Sequence, residues 1–161
     1  MKLFMVISDS HGNIGSLKKI ISQYPHIPSI IHLGDHYKDA VMLQQLYPEK
    51  EYYMVPGNCD FLVSNVPADL CLEIEGLRIL LTHGNRYSVK SGIQRLRAKA
   101  LQERLDVVLF GHTHVPVIDR TDGCLLVNPG SAAYPRYAGP STYALLEIGN
   151  GMAEARIMEV P

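Results

Sequence analysis

Five short polar clusters carry the side-chain types that hold metal ions. Asp9-Ser10-His11-Gly12-Asn13, Gly34-Asp35, Gly57-Asn58-Cys59-Asp60, Thr82-His83-Gly84 and Gly111-His112-Thr113-His114 each follow directly on an apolar run. Of their residues, two aspartates, three to four histidines and an asparagine are the candidate ligands. Such a mixed nitrogen and oxygen set suits borderline divalent ions such as manganese, iron or zinc and is ill suited to calcium. The donors are too many for one tetrahedral zinc. Two ions about 3.5–4 Å apart, bridged by one carboxylate, account for them better. A pair of divalent ions outweighs the two aspartates, so the centre stays net positive. It would attract phosphate and let bound water ionise at a pKa of roughly 7.

The elements that must bring these clusters together are legible in the apolar pattern. Leu3 to Ser8 is a continuous apolar run, the mark of a strand buried on both faces. A helix is expected from about Ile14, with Leu17, Ile20, Ile21 and Tyr24 near helical spacing, and Pro25 and Pro28 end it. Ser29 to Leu33 reads as the next strand, Asp39 to Leu46 as a helix with Asp39 as N-cap, and Glu51 to Val55 as a third strand halted by Pro56-Gly57. This β-α-β-α-β order implies a parallel sheet with right-handed crossovers. Leu70 to Glu75 and Leu77 to Thr82 flank Gly76 as a hairpin. Ser91 is expected to cap a helix running to about Leu105, before a buried strand over Asp106 to Phe110. Strands then follow over Val115 to Arg120, Leu125 to Val127, Thr142 to Ile148 and Met152 to Glu159, with hairpin signals at Asp122-Gly123 and Gly149-Asn150-Gly151. The whole is an α/β protein with two strand-rich halves, most simply two sheets packed face to face with helices outside. In open α/β sheets the carboxyl ends of the strands lie along one edge, where clusters distant in sequence can converge.

Composition bounds the rest. The chain has 161 residues, 47% hydrophobic and 19% charged, which suits one globular domain over residues 1–161 with an ordinary core. Fifteen basic and sixteen acidic side chains leave a formal charge of −1, which removes any electrostatic case for broad nucleic-acid or membrane-surface binding. No run approaches the roughly 18 apolar residues of a membrane span. The apolar run after Lys2 is too short for a signal peptide, so a mature, soluble start is expected. Cys59, Cys71 and Cys124 show no CxxC spacing, and a reducing, cytoplasmic setting is expected. A cysteine phosphatase is excluded because Asn65, Leu77 and Gly130, not arginine, stand six residues after the three cysteines. No Gly-x-x-x-x-Gly-Lys loop or Gly-x-Ser-x-Gly elbow is present.

In order along the chain, Asp-x-His at 9–11, Gly-Asp at 34–35, Gly-Asn at 57–58, His83 in Thr-His-Gly at the place of the signature's later Gly-His, and Gly-His-x-His at 111–114 resemble the signature of the calcineurin-like metallophosphoesterase superfamily. Asn128-Pro129-Gly130-Ser131 extends the match. The short length and the Gly-Asn-Cys-Asp sequence are similar to its small YfcE-type phosphodiesterase branch. The resemblance implies a four-layer αββα sandwich of two mixed β-sheets flanked by helices. Carried over position by position, it implies that Asp9, His11 and His114 hold a first metal ion, that Asp35 bridges, and that Asn58, His83 and His112 hold a second. Manganese is the first expectation, and nickel, iron, zinc or magnesium would also be accepted. The reaction implied is in-line attack of a metal-bridging hydroxide on a small phosphodiester, with Asp35, Asn58 and His83 at the reacting centre. The resemblance also makes a homodimer or homotetramer reasonable. Two other readings remain open: a non-catalytic scaffold of the same fold, like the retromer subunit, and a phosphomonoesterase or protein phosphatase.

Three further residues are candidate substrate contacts. His36 follows the expected bridge. Arg136 offers a guanidinium that matches phosphate bidentately. Cys59 stands where many superfamily members carry a histidine that protonates the leaving group. His26 and His32 read as a surface residue and a satisfied core imidazole. Asn128 is expected to support a ligand, and Asp60 to support one or to cap. Arg95, Arg97, Lys99 and Arg104 read as a solvated helix face. No base-stacking or nucleotide motif is recognisable in the loops. A thiol of pKa near 8.5 is a poor acid for an alkoxide leaving group, so activated leaving groups and a modest turnover are expected. Cys59→His is therefore expected to raise the rate on unactivated diesters; an unchanged rate would remove that argument.

Overall fold

The computed structural model describes residues 1–161. The chain forms β1 (Lys2–Ile7), α1 (Ile14–Gln23), β2 (Ser29–His32), α2 (Tyr37–Leu46), β3 (Glu51–Met54), β4 (Asp69–Ile74), β5 (Leu77–Thr82), α3 (Gln94–Glu103), β6 (Val107–Leu109), β7 (Val117–Thr121), β8 (Cys124–Asn128), β9 (Thr142–Gly149) and β10 (Met152–Glu159). One five-stranded sheet has the order β10-β9-β1-β2-β3, the other β4-β5-β6-β8-β7. β1, β2 and β3 are parallel, as their helical crossovers require, with Val6 opposite Ile31 and Ile31 opposite Tyr53. In the second sheet β5, β6 and β8 run parallel, while β4 and β7 pair antiparallel at the edges.

Period-two alternation divides the core into three layers. Phe4 and Val6 of β1 face the second sheet and pack with Ile79, Leu81, Val107, Leu109, Leu125 and Val127 between the sheets. Met5 and Ile7 face the other way, onto Leu17, Ile20 and Ile21 of α1 and Leu43 of α2. Leu80, Val108, Phe110 and Leu126 cover the outer face of the second sheet under Leu96 and Ala100 of α3. The result is the αββα sandwich. No helix is long and apolar enough to cross a membrane.

The expected hairpins form at Glu75-Gly76, Asp122-Gly123 and Asn150-Gly151, where both turn residues have positive φ. Two helix starts differ from expectation. α2 begins at Tyr37 with His36 at its N-cap in the left-handed region, and Asp39 lies buried in its first turn. The Asp39 carboxylate is engaged by Ser10 and Gly12 of another loop, so it cannot also cap its own helix. Ser91 does not cap α3 either. It ends a short 3₁₀ turn (Val89–Ser91), and Gly92, at φ 132°, breaks the chain before α3 starts at Gln94.

The inter-sheet layer carries the stability, and Leu81 lies fully buried at its centre. Leu81→Ala is expected to lower unfolding stability by about 2–5 kcal/mol in urea titrations, with the folded circular-dichroism signal retained.

Candidate metal centre

The loops after β1, β2, β3, β5 and β6 open along one edge of the sandwich and bring their polar residues together. Two groups of donor atoms form, each lying within 4.8 Å: Asp9, His11, Asp35 and His114, and Asp35, His83 and His112. Asp35 belongs to both. Its Oδ1 accepts the Cys59 backbone N–H at 2.9 Å. Its Oδ2 faces His83 Nε2 at 3.4 Å and His11 Nε2 at 3.9 Å. Asp9 is fully buried. Its Oδ2 accepts the Ser8 hydroxyl at 2.6 Å and the His112 backbone N–H at 3.0 Å.

The other oxygen of Asp9, Oδ1, is buried with no hydrogen-bond partner. Three imidazole nitrogens surround it, His114 Nε2 at 3.1 Å, His83 Nε2 at 3.8 Å and His11 Nε2 at 4.0 Å. Two of these rings are oriented from behind: His83 Nδ1 donates to the Leu33 carbonyl at 2.7 Å and His114 Nδ1 to the Tyr134 carbonyl at 2.6 Å. A neutral ring that donates from Nδ1 presents a bare lone pair at Nε2, the usual arrangement of a metal-ligating histidine. His11 Nε2 and His114 Nε2 approach to 3.4 Å, and His83 Nε2 and His112 Nδ1 to 3.2 Å. Converging lone pairs around an orphaned carboxylate oxygen are a poor arrangement for neutral rings alone. They fit divalent cations.

Without a cation, protons fill the role. Burial alone would raise the Asp9 carboxyl, but the His114 and His83 rings and the Ser8 hydroxyl outweigh it and hold it below the usual carboxylate range. Asp35 is likewise held low, burial being overruled by His83 and the Cys59 amide. Burial disfavours charge on His83, yet Asp35 and Asp9 pull its pKa up, and the contact with Asp9 raises that of His114. His112, partly desolvated and facing His83, is pushed down to about 4. The cluster thus draws positive charge inward.

The backbone is strained where these groups sit. Of twelve non-glycine residues with positive φ, six are Asp9, His11, Asp35, His36, His112 and His114. Such conformations cost on the order of 1–3 kcal/mol each and persist only where surrounding contacts enforce them. Tight approach matters too. A Cβ on Gly57 would lie 2.1 Å from Asp35 Oδ1, and one on Gly111 2.1 Å from Ser8 Oγ.

Two further carboxylates, ambiguous in the sequence, supply those contacts. Asp60 accepts four backbone N–H groups, those of Asp35 (3.1 Å), His36 (3.1 Å), Tyr37 (2.8 Å) and Gly57 (2.8 Å). It therefore caps α2 from a neighbouring loop and locks the Asp35 loop to the Asn58 loop. Asp39 accepts the Ser10 hydroxyl at 2.6 Å and the Gly12 N–H at 2.8 Å, and pairs with His36 Nδ1 at 3.0 Å. Asn128 donates to Gly111 O and Thr113 Oγ1 and accepts Gly130 N–H, bracing the loop that carries His112 and His114. In the sequence Asp60 is marked only by its place in the Gly-Asn-Cys-Asp cluster, and Asp39 reads as the N-cap of its own helix.

The remaining expected site residues are less gathered. Asn58 is exposed, and its side chain donates to Cys59 Sγ at 3.6 Å rather than bonding any member of the two groups. Cys59 is exposed, and partial desolvation together with Asp35 pushes its thiol pKa up. His36 is tied to Asp39. Arg136 is exposed, its backbone N–H bonded to His114 O, and its charge acts against protonation of His114. His26 is exposed. His32 is fully buried and satisfied: its Nδ1 accepts Gly34 N–H at 3.2 Å and its Nε2 meets Ser10 Oγ at 2.9 Å.

The calcineurin-like phosphoesterase superfamily domain matches residues 1–151. A probable metallophosphoesterase of Bacillus subtilis, YsnB, is 32% identical over 157 residues, covering 96% of this chain and 89% of the relative. The Escherichia coli phosphodiesterase YfcE is 26% identical over 169 residues, covering 91% and 88%. A crystal structure of an uncharacterised Streptococcus pneumoniae protein, described as a predicted phosphoesterase, superposes with a TM-score of 0.81 at 28% identity, covering 98% of this chain and 89% of the other.

Burial holds His32 at a pKa of about 4 against an ordinary 6.5, despite the nearby Asp39. Between those values the unfolded chain takes up a proton that the folded one refuses, so stability is lost as pH falls. Urea unfolding of the metal-free protein is expected to weaken by on the order of 3 kcal/mol from this group between pH 7 and 4, with a shallower slope in His32→Gln.

Proposed function

The chain belongs to the calcineurin-like phosphoesterase superfamily, and on that footing we propose that it is a metal-dependent phosphodiesterase with a dinuclear centre. One cation is held by Asp9, His11, Asp35 and His114, the other by Asp35, Asn58, His83 and His112. The observation that carries this reading is the Asp35 carboxylate shared by two donor groups, beside a buried Asp9 oxygen that no hydrogen bond satisfies. Manganese suits the mixed imidazole and carboxylate donors, which nickel, iron, zinc or magnesium could share. A pair of divalent ions, when bound, supplies Lewis acidity: it lowers the pKa of water to near neutrality and offsets charge on the phosphoryl group.

The protein's own groups set the geometry. The Cys59 amide holds one oxygen of Asp35 and leaves the other facing the rings. Leu33 and Tyr134 carbonyls fix His83 and His114 with Nε2 inward. Asn58 would join the second group through its amide oxygen, its side-chain nitrogen being engaged by Cys59. Arg136, whose backbone N–H bonds to His114 O, is the contact assigned to a phosphoryl oxygen in this reading, with His36 and Cys59 as further contacts. Cys59 enters this reading as a contact, because a thiol is a weaker acid than an imidazolium toward an alkoxide leaving group, which favours small diesters with good leaving groups. Similarity to YfcE supports a diester over a monoester. The seven ligand-type residues, with two of the rings oriented from behind, favour an enzyme over a scaffold of the same fold.

Asp35→Asn and His83→Ala are each expected to cut manganese-dependent hydrolysis of bis(4-nitrophenyl) phosphate by more than about 100-fold, beyond the loss typical of residues one layer further out. Chelation should abolish activity and added manganese restore it. Retained hydrolysis in Asp35→Asn would refute the assignment.

A further inference from the structure

Beside the metal centre lies a cleft of about 160 Å³. It begins at His36 and Cys59, each next in sequence to one of the proposed ligands, and continues over Lys38 to Phe61, Leu62 and Val63. Phe61 and Leu62 are 89% and 84% exposed. Two adjacent large apolar side chains left in water on a soluble surface mark a place where something apolar binds. The turn that presents them is anchored: Asp60 N–H bonds to Gly57 O, Val63 N–H to Asp60 O, and the Asp60 carboxylate holds four backbone amides. The polar groups of the cleft are mostly committed. Asp60 is spent on those amides and His36 on Asp39, whereas Lys38 forms no ion pair.

We infer that this cleft is a substrate subsite that seats one ester group of the phosphodiester, a planar aromatic ring lying against Phe61 and Leu62, with the phosphoryl group beyond Cys59 and His36. The inference rests on the phosphodiesterase reading and deepens it by naming the substrate class, an aryl or heteroaryl ester. Aromatic side chains favour ring partners through stacked or edge-to-face contact, and a ring lying against Phe61 and Leu62 would remove apolar surface from water on both sides of the contact. Lys38 adds positive potential that favours an anionic ester over a cationic one. Local sequence hides this surface, because a Phe-Leu pair in a chain reads equally well as core.

The test is titration calorimetry of the manganese-loaded protein with phenylphosphonate and methylphosphonate, which share the phosphoryl anchor and differ in the ring. Phenylphosphonate is expected to bind roughly five- to tenfold more tightly. Phe61→Ala should reduce that preference to below twofold without weakening methylphosphonate, and Phe61→Tyr should keep it. An unchanged preference in Phe61→Ala overturns the subsite. A second arm needs no metal: 4-nitrophenol should shift the NMR resonances of Phe61 and Leu62 in the metal-free protein, and shifts confined elsewhere overturn the proposal. If neither phosphonate binds while 4-nitrophenol still shifts Phe61 and Leu62, the phosphodiesterase reading fails and the ring site stands. A preference unchanged by Phe61→Ala, together with loss of a dimer, would assign the patch to a second copy of the chain.

Discussion

Two carboxylates, Asp9 and Asp35, are buried where five strands end, and much of the local structure follows from keeping them charged. Removing a carboxylate from water costs several kcal/mol unless hydrogen bonds and opposite charge replace the lost hydration. Half of that replacement is permanent: the Ser8 hydroxyl and His112 amide on Asp9, the Cys59 amide on Asp35. The other half is left to a mobile charge. One oxygen of each carboxylate faces imidazole nitrogens whose far sides are bonded to main-chain carbonyls or turned outward. Protons can fill that role, in keeping with the raised pKa of His83 and His114, and so can divalent cations.

A layer further in, Asp39 and Asp60 do for the backbone what Asp9 and Asp35 do for the centre. Each is a carboxylate placed where loop amides would otherwise go unpaired. Asp60 stitches the loop after β2 to the loop after β3, and Asp39 stitches the loop after β1 to the start of α2. Ser131 adds a bond from its hydroxyl to the Asp9 carbonyl across 122 positions of chain. These ties explain how six residues of the site tolerate left-handed backbone without relaxing. They also give Phe61 and Leu62 a fixed base at the mouth of the centre.

Some of this organisation can be read from neighbours along the chain. The unbroken apolar runs Leu3 to Ile7 and Val107 to Phe110 already require cover on both faces, because side chains of a strand point alternately to opposite sides. Turns at Asp122-Gly123 and Asn150-Gly151 are also local, since Gly, and to a lesser degree Asn and Asp, tolerate positive φ without help from distant partners. The two helix starts depart from the local pattern for different reasons, one through a distant partner and one through a neighbouring glycine. Asp39 looks like an N-cap only until Ser10 and Gly12 claim its carboxylate, and Ser91 looks like one only until Gly92 breaks the chain.

Residue chemistry and spacing thus determined the two-sheet architecture and the donor inventory, both of which follow from short-range pattern. Tertiary structure alone decided which nitrogen of each ring faces inward, which carboxylate caps which loop, that Asn58 turns toward Cys59, and that Phe61 and Leu62 stand in water. Each of those outcomes depends on a contact or a vacancy between segments remote in sequence. A hydrogen-bond partner twenty or a hundred residues away leaves no local signature, because its effect exists only once the chain has closed the distance.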